Sequence, residues 1–301
     1  MTARERTGFV HGTTAYLLWG LFPLYFMLFT GSGALEIVAH RALWSLVFCL
    51  ILLPLLGQLR QLRALFADRR LLLALGAAGL LIAVNWSIYV FGVLAGRTLD
   101  AALGYFINPL AVTALGVLVL GERLRAAQWL AVGFGFAAVV VLVVGYGEFP
   151  WVALALAFTF GTYGLVKKLA GRTTGPLPGL AIETLAILPL SAGYIAYLSV
   201  TSTSTVGFSW YGLLVSTTGI VTAVPLLLFA SAARSIPLVT VGILQYLAPI
   251  GQFFVGWLLF HEPMPASRWA GFVLVWIAIL VFLLDALHQH RGRSTRAGRR
   301  P

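Results

Sequence analysis

Residues 71–95 read LLLALGAAGLLIAVNWSIYVFGVLA, a run without a single charged side chain. A helix rises about 1.5 Å per residue, so about 20 apolar residues cross the ~30 Å hydrocarbon layer of a membrane. In lipid, only helices and closed barrels satisfy all of their backbone polar groups. The apolar run is continuous rather than alternating, which favours a helix over a barrel strand. This segment therefore predicts a transmembrane helix.

Similar apolar runs fill most of the chain on both sides of this segment. Of the 301 residues, 60% are hydrophobic and only 10% are charged, whereas soluble domains have about 25% charged residues. The connectors are too short for a soluble domain, and the first run has no cleavage site typical of a signal peptide. We therefore predict an all-α membrane protein with ten transmembrane helices. Their predicted positions are 9–29, 34–56, 71–95, 101–121, 127–146, 150–169, 179–199, 209–231, 237–260 and 268–287.

The positive charges are distributed unevenly among the connectors. If both termini are cytoplasmic, all but three of the 20 Lys and Arg residues lie in cytoplasmic segments; Arg97 and Arg268 lie in outside connectors and Arg41 lies within a span. This asymmetry is the pattern of the positive-inside rule. The net charge of +11 is thus explained by topology. We interpret the basic tail, 288–301, as a cytoplasmic anchor or lipid contact and predict no nucleic-acid partner.

The second half of the chain resembles the first half after a shift of 140 residues. Each half contains five predicted spans, and because five is odd, the second half must enter the membrane in the opposite orientation. We predict a first repeat at 1–146 and a second repeat at 147–287, with a substrate site near the membrane midplane between them. The matching pairs are Pro109 and Pro249, Gly116 and Gly256, Glu122 and Glu262, Ala126 and Ala266, and Trp129 and Trp269.

Four ionisable residues inside the spans are candidates for gating or proton coupling: Glu36, His40, Lys167 and Glu183. A charge at the bilayer centre costs about 2.5–3.5 kcal/mol on insertion scales, so such residues need a reason. Glu36 and His40 are one turn apart on the same helix face. The inverted symmetry places Glu36 toward the outer face and Glu183 toward the inner face, with Lys167 as a candidate partner of Glu183. A static role, in which ion pairs fix the helix register, remains the alternative.

A further set of aromatic, amide and hydroxyl side chains, together with one arginine, is predicted to line a cavity at the midplane. Such side chains suit an amphipathic organic solute and suit a small inorganic ion poorly, because charges are not clustered. Hydrogen bonding between helices is the alternative role for each of them. The predicted cavity residues are Trp19, Arg41, Trp44, Asn85, Tyr89, Tyr105, Asn108, Tyr163, Thr222, Gln245 and Tyr246.

Several of these residues lie in strings that resemble a known family, the RarD type of EamA transporters in the drug/metabolite transporter superfamily. The resemblance covers the chain up to about residue 285. It departs from the family at Phe91, where a Trp is usual, and at Asp100-Ala101-Ala102, which replaces a Glu-Ala-Ser-like stretch. The strings are AYLLWGLFPLYF at 15–26, EIVAHRALWS at 36–45, NWSIYVFGV at 85–93, LGYFINPL at 103–110, ERL at 122–124, GTYGLVKK at 161–168, GLAIETL at 179–185, TAVPLLLF at 222–229 and ILQYLAP at 243–249.

The resemblance implies ten helices in two EamA repeats, cytoplasmic termini and a bacterial plasma-membrane location. It implies a permease of a small organic solute or drug, and the family is associated by name with chloramphenicol sensitivity. The departures at Phe91 and at 100–102 put any gate or specificity role near those positions in doubt.

The sequence lacks the motifs of other function classes. It contains no H-E-x-x-H, G-x-S-x-G or P-loop motif, and His288 and His290 form only an isolated His-x-His pair. We predict no catalytic residues, no metal site and no cofactor. The favoured function is a secondary transporter that works by alternating access, coupled to protons or to exchange. An intramembrane enzyme and a passive facilitator or channel are the alternatives. The predicted partners are a small-molecule substrate and the lipid bilayer, and the oligomeric state stays open between a monomer and a homodimer.

Overall fold

The computed structural model describes residues 2–121, 123–170 and 174–297, and within these residues it is helical without strands. Glu122, which the repeat pairs with Glu262, and the end of the basic tail lie outside the described residues. The helices are α1 (Ala3–Gly20), α2 (Phe22–Phe26), α3 (Ala34–Leu55), α4 (Leu59–Ala67), α5 (Arg69–Leu94), α6 (Thr98–Leu120), α7 (Ala126–Val141), α8 (Trp151–Ala170), α9 (Pro176–Val200), α10 (Trp210–Ser216), α11 (Thr218–Ser235), α12 (Leu238–Leu244), α13 (Leu247–Phe254) and α14 (Ala266–Ala297).

Eight of the described segments are long and apolar enough to cross a membrane. A ninth candidate is α1 followed by the segment Phe22–Phe29, and these two pieces are bent by 44°. The predicted span at 150–169 corresponds to α8, whose apolar part, Trp151–Lys167, is shorter than the others. The prediction of ten membrane helices is therefore approximately confirmed. The eight segments are Ala34–Leu55, Arg69–Leu94, Thr98–Val119, Ala126–Gly145, Pro176–Val200, Trp210–Ser235, Thr240–Leu259 and Ala266–Asp285.

Two spans are interrupted where a proline follows the break. Proline lacks an N–H and clashes with the carbonyl four residues earlier. Pro23 follows the bend between α1 and α2, and the carbonyl that it cannot bond, that of Trp19, accepts a hydrogen bond from Gln252 Nε2 at 3.2 Å. Pro249 stands four residues after Gln245, where α12 ends. Each break thus lies at a carbonyl that cannot accept the usual helical hydrogen bond, because the residue four positions later is proline.

The structure also contains a short helix within the predicted connector between spans 34–56 and 71–95. This helix, α4, packs its single buried residue, Leu65, against Leu75 and Ile182. The arginines Arg60 and Arg63 lie on its exposed surface. Its nine residues are too few to cross a membrane, so α4 is a surface helix beside the bundle.

The helices pack between the two halves of the chain in a regular pattern. In the first half, α5 and α6 both pack against α8, the first span of the second half. In the second half, α11 and α13 both pack against α1, the first span of the first half. The contact between α3 and α11, spans two and eight, is equivalent to the contact between α9 and α5, spans seven and three. Three further contacts join a span to the corresponding span of the other half: α3 with α9, α6 with α13 and α7 with α14. Each principal contact between the halves is therefore matched when the halves are exchanged.

Small residues allow α1 to lie close to its partners. A Cβ atom on Gly12 would be 3.1 Å from the Ala232 Cβ, and one on Gly20 would be 3.3 Å from the Gly251 Cα. Small residues at helix interfaces let membrane helices pack backbone to backbone. Because Gly20 immediately precedes the bend, this close contact also fixes where α2 begins.

Candidate functional site

The side chain of Arg41 is enclosed between helices near the start of α3. It is only 4% exposed, and its Nε donates to Thr222 Oγ1 on α11 at 2.9 Å. Its guanidinium carbon lies 4.0 Å from the ring centroid of Trp86, 5.4 Å from that of Phe26 and 5.7 Å from that of Phe22. We call these five residues the Arg41 site. It presents one cation inside a wall of aromatic rings.

The guanidinium of Arg41 has no carboxylate partner in the part of the chain that the structure describes. Of the nine Asp and Glu residues, all but Glu122 are described, and each of these eight is engaged elsewhere. Their contacts are Glu5 with Thr2, Glu36 with Ser204 and Thr205, Asp68 with Leu71, Asp100 with Arg97 and Arg268, Glu148 with Arg97, Glu183 with Lys167 and Tyr163, Glu262 with Thr98 and Leu99, and Asp285 with Arg125.

The aromatic wall and Thr222 stabilise the buried cation, but neither supplies a negative charge. A cation–π contact contributes about 2 kcal/mol or more when desolvated. The effective cost of taking an ion out of water is several kcal/mol even after relaxation. The hydrogen bond to Thr222 adds about 1.5–3 kcal/mol. A buried arginine without a counter-ion is therefore a position where an anion would be stabilised.

Two further predicted residues extend the aromatic wall away from Arg41. The ring of Tyr89 lies 6.0 Å from that of Phe26 and 5.8 Å from that of Tyr105, centroid to centroid. The hydroxyl of Tyr89 is buried and has no hydrogen-bond partner among the described residues. The wall thus continues to a buried hydroxyl without a hydrogen-bond partner among the described residues.

Asn85 connects three helices by hydrogen bonds. Its Nδ2 donates to the Leu156 carbonyl at 3.1 Å and to Thr159 Oγ1 at 2.9 Å, and its Oδ1 accepts from the Tyr105 hydroxyl at 3.1 Å. The side chain is 1% exposed. These contacts use α5, α6 and α8 together, so the geometry of Asn85 fits the helix-packing alternative better than a cavity lining. Asn108, by contrast, has a buried Oδ1 without a partner in the described residues.

Glu36 joins the start of α3 to the connector between α9 and α10. Its carboxylate is buried and accepts from Ser204 Oγ at 2.9 Å, from the Thr205 N–H at 2.8 Å and from Thr205 Oγ1 at 2.7 Å. The Thr205 hydroxyl also contacts Ser32, which hydrogen-bonds the Tyr211 hydroxyl at 2.6 Å. We call these five residues the Glu36 cluster. It holds a connector of the second half against a helix of the first half.

His40 lies one turn after Glu36 on the same helix. It is 8% exposed, and neither of its ring nitrogens has a hydrogen-bond partner among the described residues. Buried polar groups are usually paired. The imidazole of His40 is an exception, because it is buried and titratable and its ring nitrogens have no partner among the described residues.

Glu183 of α9 forms an ion pair with Lys167 of α8 and accepts a hydrogen bond from the Tyr163 hydroxyl at 3.2 Å. The carboxylate side chain is 2% exposed, whereas that of Lys167 is 31% exposed. The structure therefore brings the three predicted residues together, with the charge of Glu183 buried and that of Lys167 nearer the surface.

The remaining predicted residues lie in other parts of the bundle. Trp19 packs on Tyr16 and Phe229, with ring centroids 5.3 and 6.0 Å away. Trp44 is half-buried one turn after Arg41. Tyr246 belongs to a separate hydrophobic cluster that includes Phe106 and Phe253, and Gln245 precedes it at the break between α12 and α13.

A second charged network, which the site prediction did not include, joins the start of α6 to the connector before α14. Glu262 accepts from the N–H groups of Thr98 at 2.5 Å and Leu99 at 2.9 Å, where a helix N-terminus favours an anion. Arg268 donates to Asp100 at 2.8 Å. Burial raises the pKa of the Glu262 carboxyl, although the Leu99 and Thr98 N–H groups and the charge of Arg268 act to lower it. The only signal in the sequence was the match of Glu262 with Glu122.

Comparison with known proteins identifies the family. Residues 150–284 match the EamA-like transporter family. The protein RarD of Streptomyces exfoliatus is 47% identical over 294 residues, which are 97% of this chain and 93% of that protein. The chain belongs to the RarD-type EamA transporters. The resemblance seen in the sequence is thereby confirmed, and the chain is a multi-span membrane transporter of the drug/metabolite transporter superfamily.

Other RarD-type relatives agree. An uncharacterized transporter of Pseudomonas aeruginosa is 44% identical over 288 residues, 95% of this chain and 96% of that protein. A more distant relative from the same organism, 29% identical over 96% of this chain and 97% of its own length, carries the name chloramphenicol-sensitive protein RarD. A solved crystal structure with 20% sequence identity superposes with a TM-score of 0.59 over 94% of this chain and 99% of that one, which shows a shared fold.

Proposed function

We propose that this transporter moves a small organic solute or drug across the bacterial plasma membrane by alternating access, and that the Arg41 site lies on the solute pathway. One observation carries the proposal: a buried arginine faces three aromatic rings and no carboxylate of the described chain. Ionisable groups inside membrane spans are costly, face the interior of the bundle and often mark the pathway of a substrate or ion.

The arrangement of the helices supports two inverted repeats, at 1–146 and 147–287. The contacts between the halves are matched under exchange of the halves, as expected for two five-helix units related by a two-fold axis. The Arg41 site itself takes Phe22, Phe26, Arg41 and Trp86 from the first unit and Thr222 from the second. A site between the units can be exposed to either side when one unit rocks against the other. An even number of spans places both termini on the same side, and the excess of Lys and Arg in the segments of that side makes it the cytoplasmic side.

Two polar contacts between helices are proposed to close the pathway on opposite sides. On the outer side, the Glu36 cluster holds the connector before α10 against α3. On the inner side, the Lys167–Glu183 ion pair joins α8 and α9. His40, whose two ring nitrogens have no partner among the described residues, and the buried carboxylates of Glu36 and Glu183 are the candidate proton carriers.

The transport assignment is tested with purified protein in proteoliposomes. Compounds that raise the thermal unfolding temperature are first selected from a panel of drugs and metabolites, and their uptake is then measured with and without a pH gradient. A proton-coupled transporter accumulates the solute and loses accumulation when the gradient is collapsed, whereas a facilitator only equilibrates it. Failure of every stabilising compound to enter the liposomes would contradict the proposal.

The coupling role is tested with two substitutions, Glu36→Gln and Glu183→Gln. If both variants kept full transport with an unchanged pH dependence, the carboxylates would be static contacts. Loss of accumulation with retained equilibration in either variant supports proton coupling by that residue. The exposed carboxylate Glu148 provides the control, and Glu148→Gln should behave as the wild type.

A further inference from the structure

We propose that the transported solute is an organic anion: a carboxylate, sulfonate or phosphate group binds Arg41, and an aromatic or flat apolar body lies against the rings of Trp86, Tyr89 and Tyr105. This inference rests on the proposed function, since it names the class of solute for the same site.

The first argument is the unused hydrogen-bonding capacity of Arg41. The guanidinium has five N–H donors in a planar fork. Only Nε has a hydrogen-bond partner among the described residues, the hydroxyl of Thr222. The two terminal nitrogens are therefore left for a ligand, and a pair of parallel N–H donors matches the two oxygens of a carboxylate or the oxygens of a phosphate. Thr222 holds the fork in a fixed orientation because its hydroxyl in turn donates to the Thr218 carbonyl at 2.8 Å.

The second argument is the charge of the site. None of the eight described carboxylates pairs with Arg41. The site therefore carries an uncompensated positive charge within the membrane-spanning helix α3. A bound anion neutralises it, and opposite charges attract strongly in the low-dielectric interior. A neutral solute would leave the charge as it is.

The third argument is the nature of the surrounding wall. Phe22, Phe26 and Trp86 offer ring faces, and the ring of Tyr89 continues the wall. A small hydrated anion such as chloride or sulfate would require several polar donors to replace its water, and this wall supplies ring faces instead. An organic anion satisfies both parts of the site, since its charged group meets Arg41 and its apolar body contacts the rings.

The test compares matched pairs of acids and amides as stabilisers of the purified full-length protein. The probes are benzoate against benzamide, indole-3-acetate against indole-3-acetamide, benzenesulfonate, phenyl phosphate, and sodium chloride alone, each titrated over the same concentration range. The variants are Arg41→Gln and Arg41→Lys. The control is Arg125→Gln, which removes an arginine paired with Asp285 at the surface.

We expect at least one aromatic anion to raise the unfolding temperature of the wild type and of Arg125→Gln at a concentration at least tenfold lower than its amide requires. Arg41→Gln should abolish this preference. Arg41→Lys keeps the positive charge but loses the planar pair of N–H donors, so it should weaken the preference for the acid over its amide severalfold. If Arg41→Gln does not fold, the result for Arg41→Lys alone tests the inference.

Three results would overturn the inference: equal stabilisation by acids and amides, stabilisation by none of the aromatic anions, or chloride alone acting as strongly as they do. An unchanged preference in both Arg41 variants would equally overturn it. Uptake separates this inference from the proposed function. If neutral amides are transported independently of Arg41, the transporter stands and the anion inference fails; if the anions bind through Arg41 but are never transported, the proposed function fails.

Discussion

Gly219 on α11 lies with its Cα directly against the backbone carbonyl of Trp44 on α3. A Cβ atom at Gly219 would overlap that carbonyl oxygen and would be 3.0 Å from the Ser45 nitrogen. Trp44 is one turn from Arg41 and Gly219 is one turn from Thr222, so this backbone contact sets the distance across which Arg41 and Thr222 form their hydrogen bond.

We expect Gly219→Ala to separate α3 from α11 and to lower the free energy of unfolding by about 1–3 kcal/mol, the usual cost of overpacking. The same change should weaken solute binding at Arg41. Gly193→Ala is the matched control, because Gly193 is also inside a helix and nothing lies within 4 Å of an added Cβ there. Thermal unfolding in detergent checks both variants. Equal unfolding temperatures for the two would show that the helices are not held this closely.

Asn85 and Trp86 are neighbours in sequence with different expected roles. Asn85→Ala removes three hydrogen bonds between helices and should cost about 1–3 kcal/mol of stability, with little change in the affinity of a stabilising ligand for the protein that remains folded. Trp86→Leu removes the ring 4.0 Å from the guanidinium and should reduce ligand affinity more than stability. Thermal unfolding and ligand titration on both variants measure the two effects, and the reverse ranking would contradict the assignment.

The Lys167–Glu183 pair should show strong coupling in a double-mutant cycle. Lys167→Met leaves the 2%-exposed Glu183 carboxylate with the Tyr163 hydroxyl as its one remaining partner among the described residues, so we expect this variant to lose about 1–3 kcal/mol. Adding Glu183→Gln removes the buried charge and should restore part of the loss, which makes the two changes non-additive. Unfolding temperatures of the wild type, both single variants and the double variant complete the cycle. Additive effects would mean that the pair contributes nothing as a pair.

Glu262 should make stability depend on pH in a defined direction. Because burial raises the pKa of its carboxyl, the folded protein holds this proton more tightly than the unfolded chain does. That contribution is complete below the ordinary glutamate value of 4.5 and is lost as the pH rises through the folded pKa. Glu262→Gln removes the titration. The free energy of unfolding of the wild type minus that of the variant should therefore be largest in acid and fall above pH 4.5; a difference that stays constant or grows with pH would contradict it.

The sequence was sufficient to predict the spans because hydrocarbon thickness and backbone hydrogen bonding leave few alternatives to apolar helices. Its cavity candidates Arg41, Asn85, Tyr89, Tyr105 and Thr222 are polar residues that stand out within apolar runs. The structure pairs Arg41 with Thr222 and Tyr89 with Tyr105, and it uses Asn85 for hydrogen bonds between helices. The sequence did not predict the wall of the Arg41 site. Phe22, Phe26 and Trp86 are apolar residues among many others, and only the packing of α2, α3 and α5 distinguishes them from residues that face lipid.

The sequence did not predict the charged network at the start of α6 for a different reason. Asp100, Glu262 and Arg268 lie near the ends of predicted spans, where charged residues are ordinary, so nothing marks them as buried. Their burial depends on the return of the connector before α14 to the start of α6. Likewise, the repeat predicts Tyr246 beside the cavity, and the structure packs this residue in the cluster around Phe253.

The packing of the first helix has a consequence for how this protein is made. The close neighbours of α1 are α11 and α13, and its Gly12 and Gly20 contact Ala232 and Gly251, more than 200 residues later in the chain. A growing chain emerges from the ribosome at about 5–20 residues per second, so α1 enters the bilayer well before its partners are synthesised. Among the described helices, α1 is therefore made well before α11 and α13, which it packs against. Until α11 and α13 are made, the face of α1 that carries Gly12 and Gly20 lacks the helices that cover it in the folded protein.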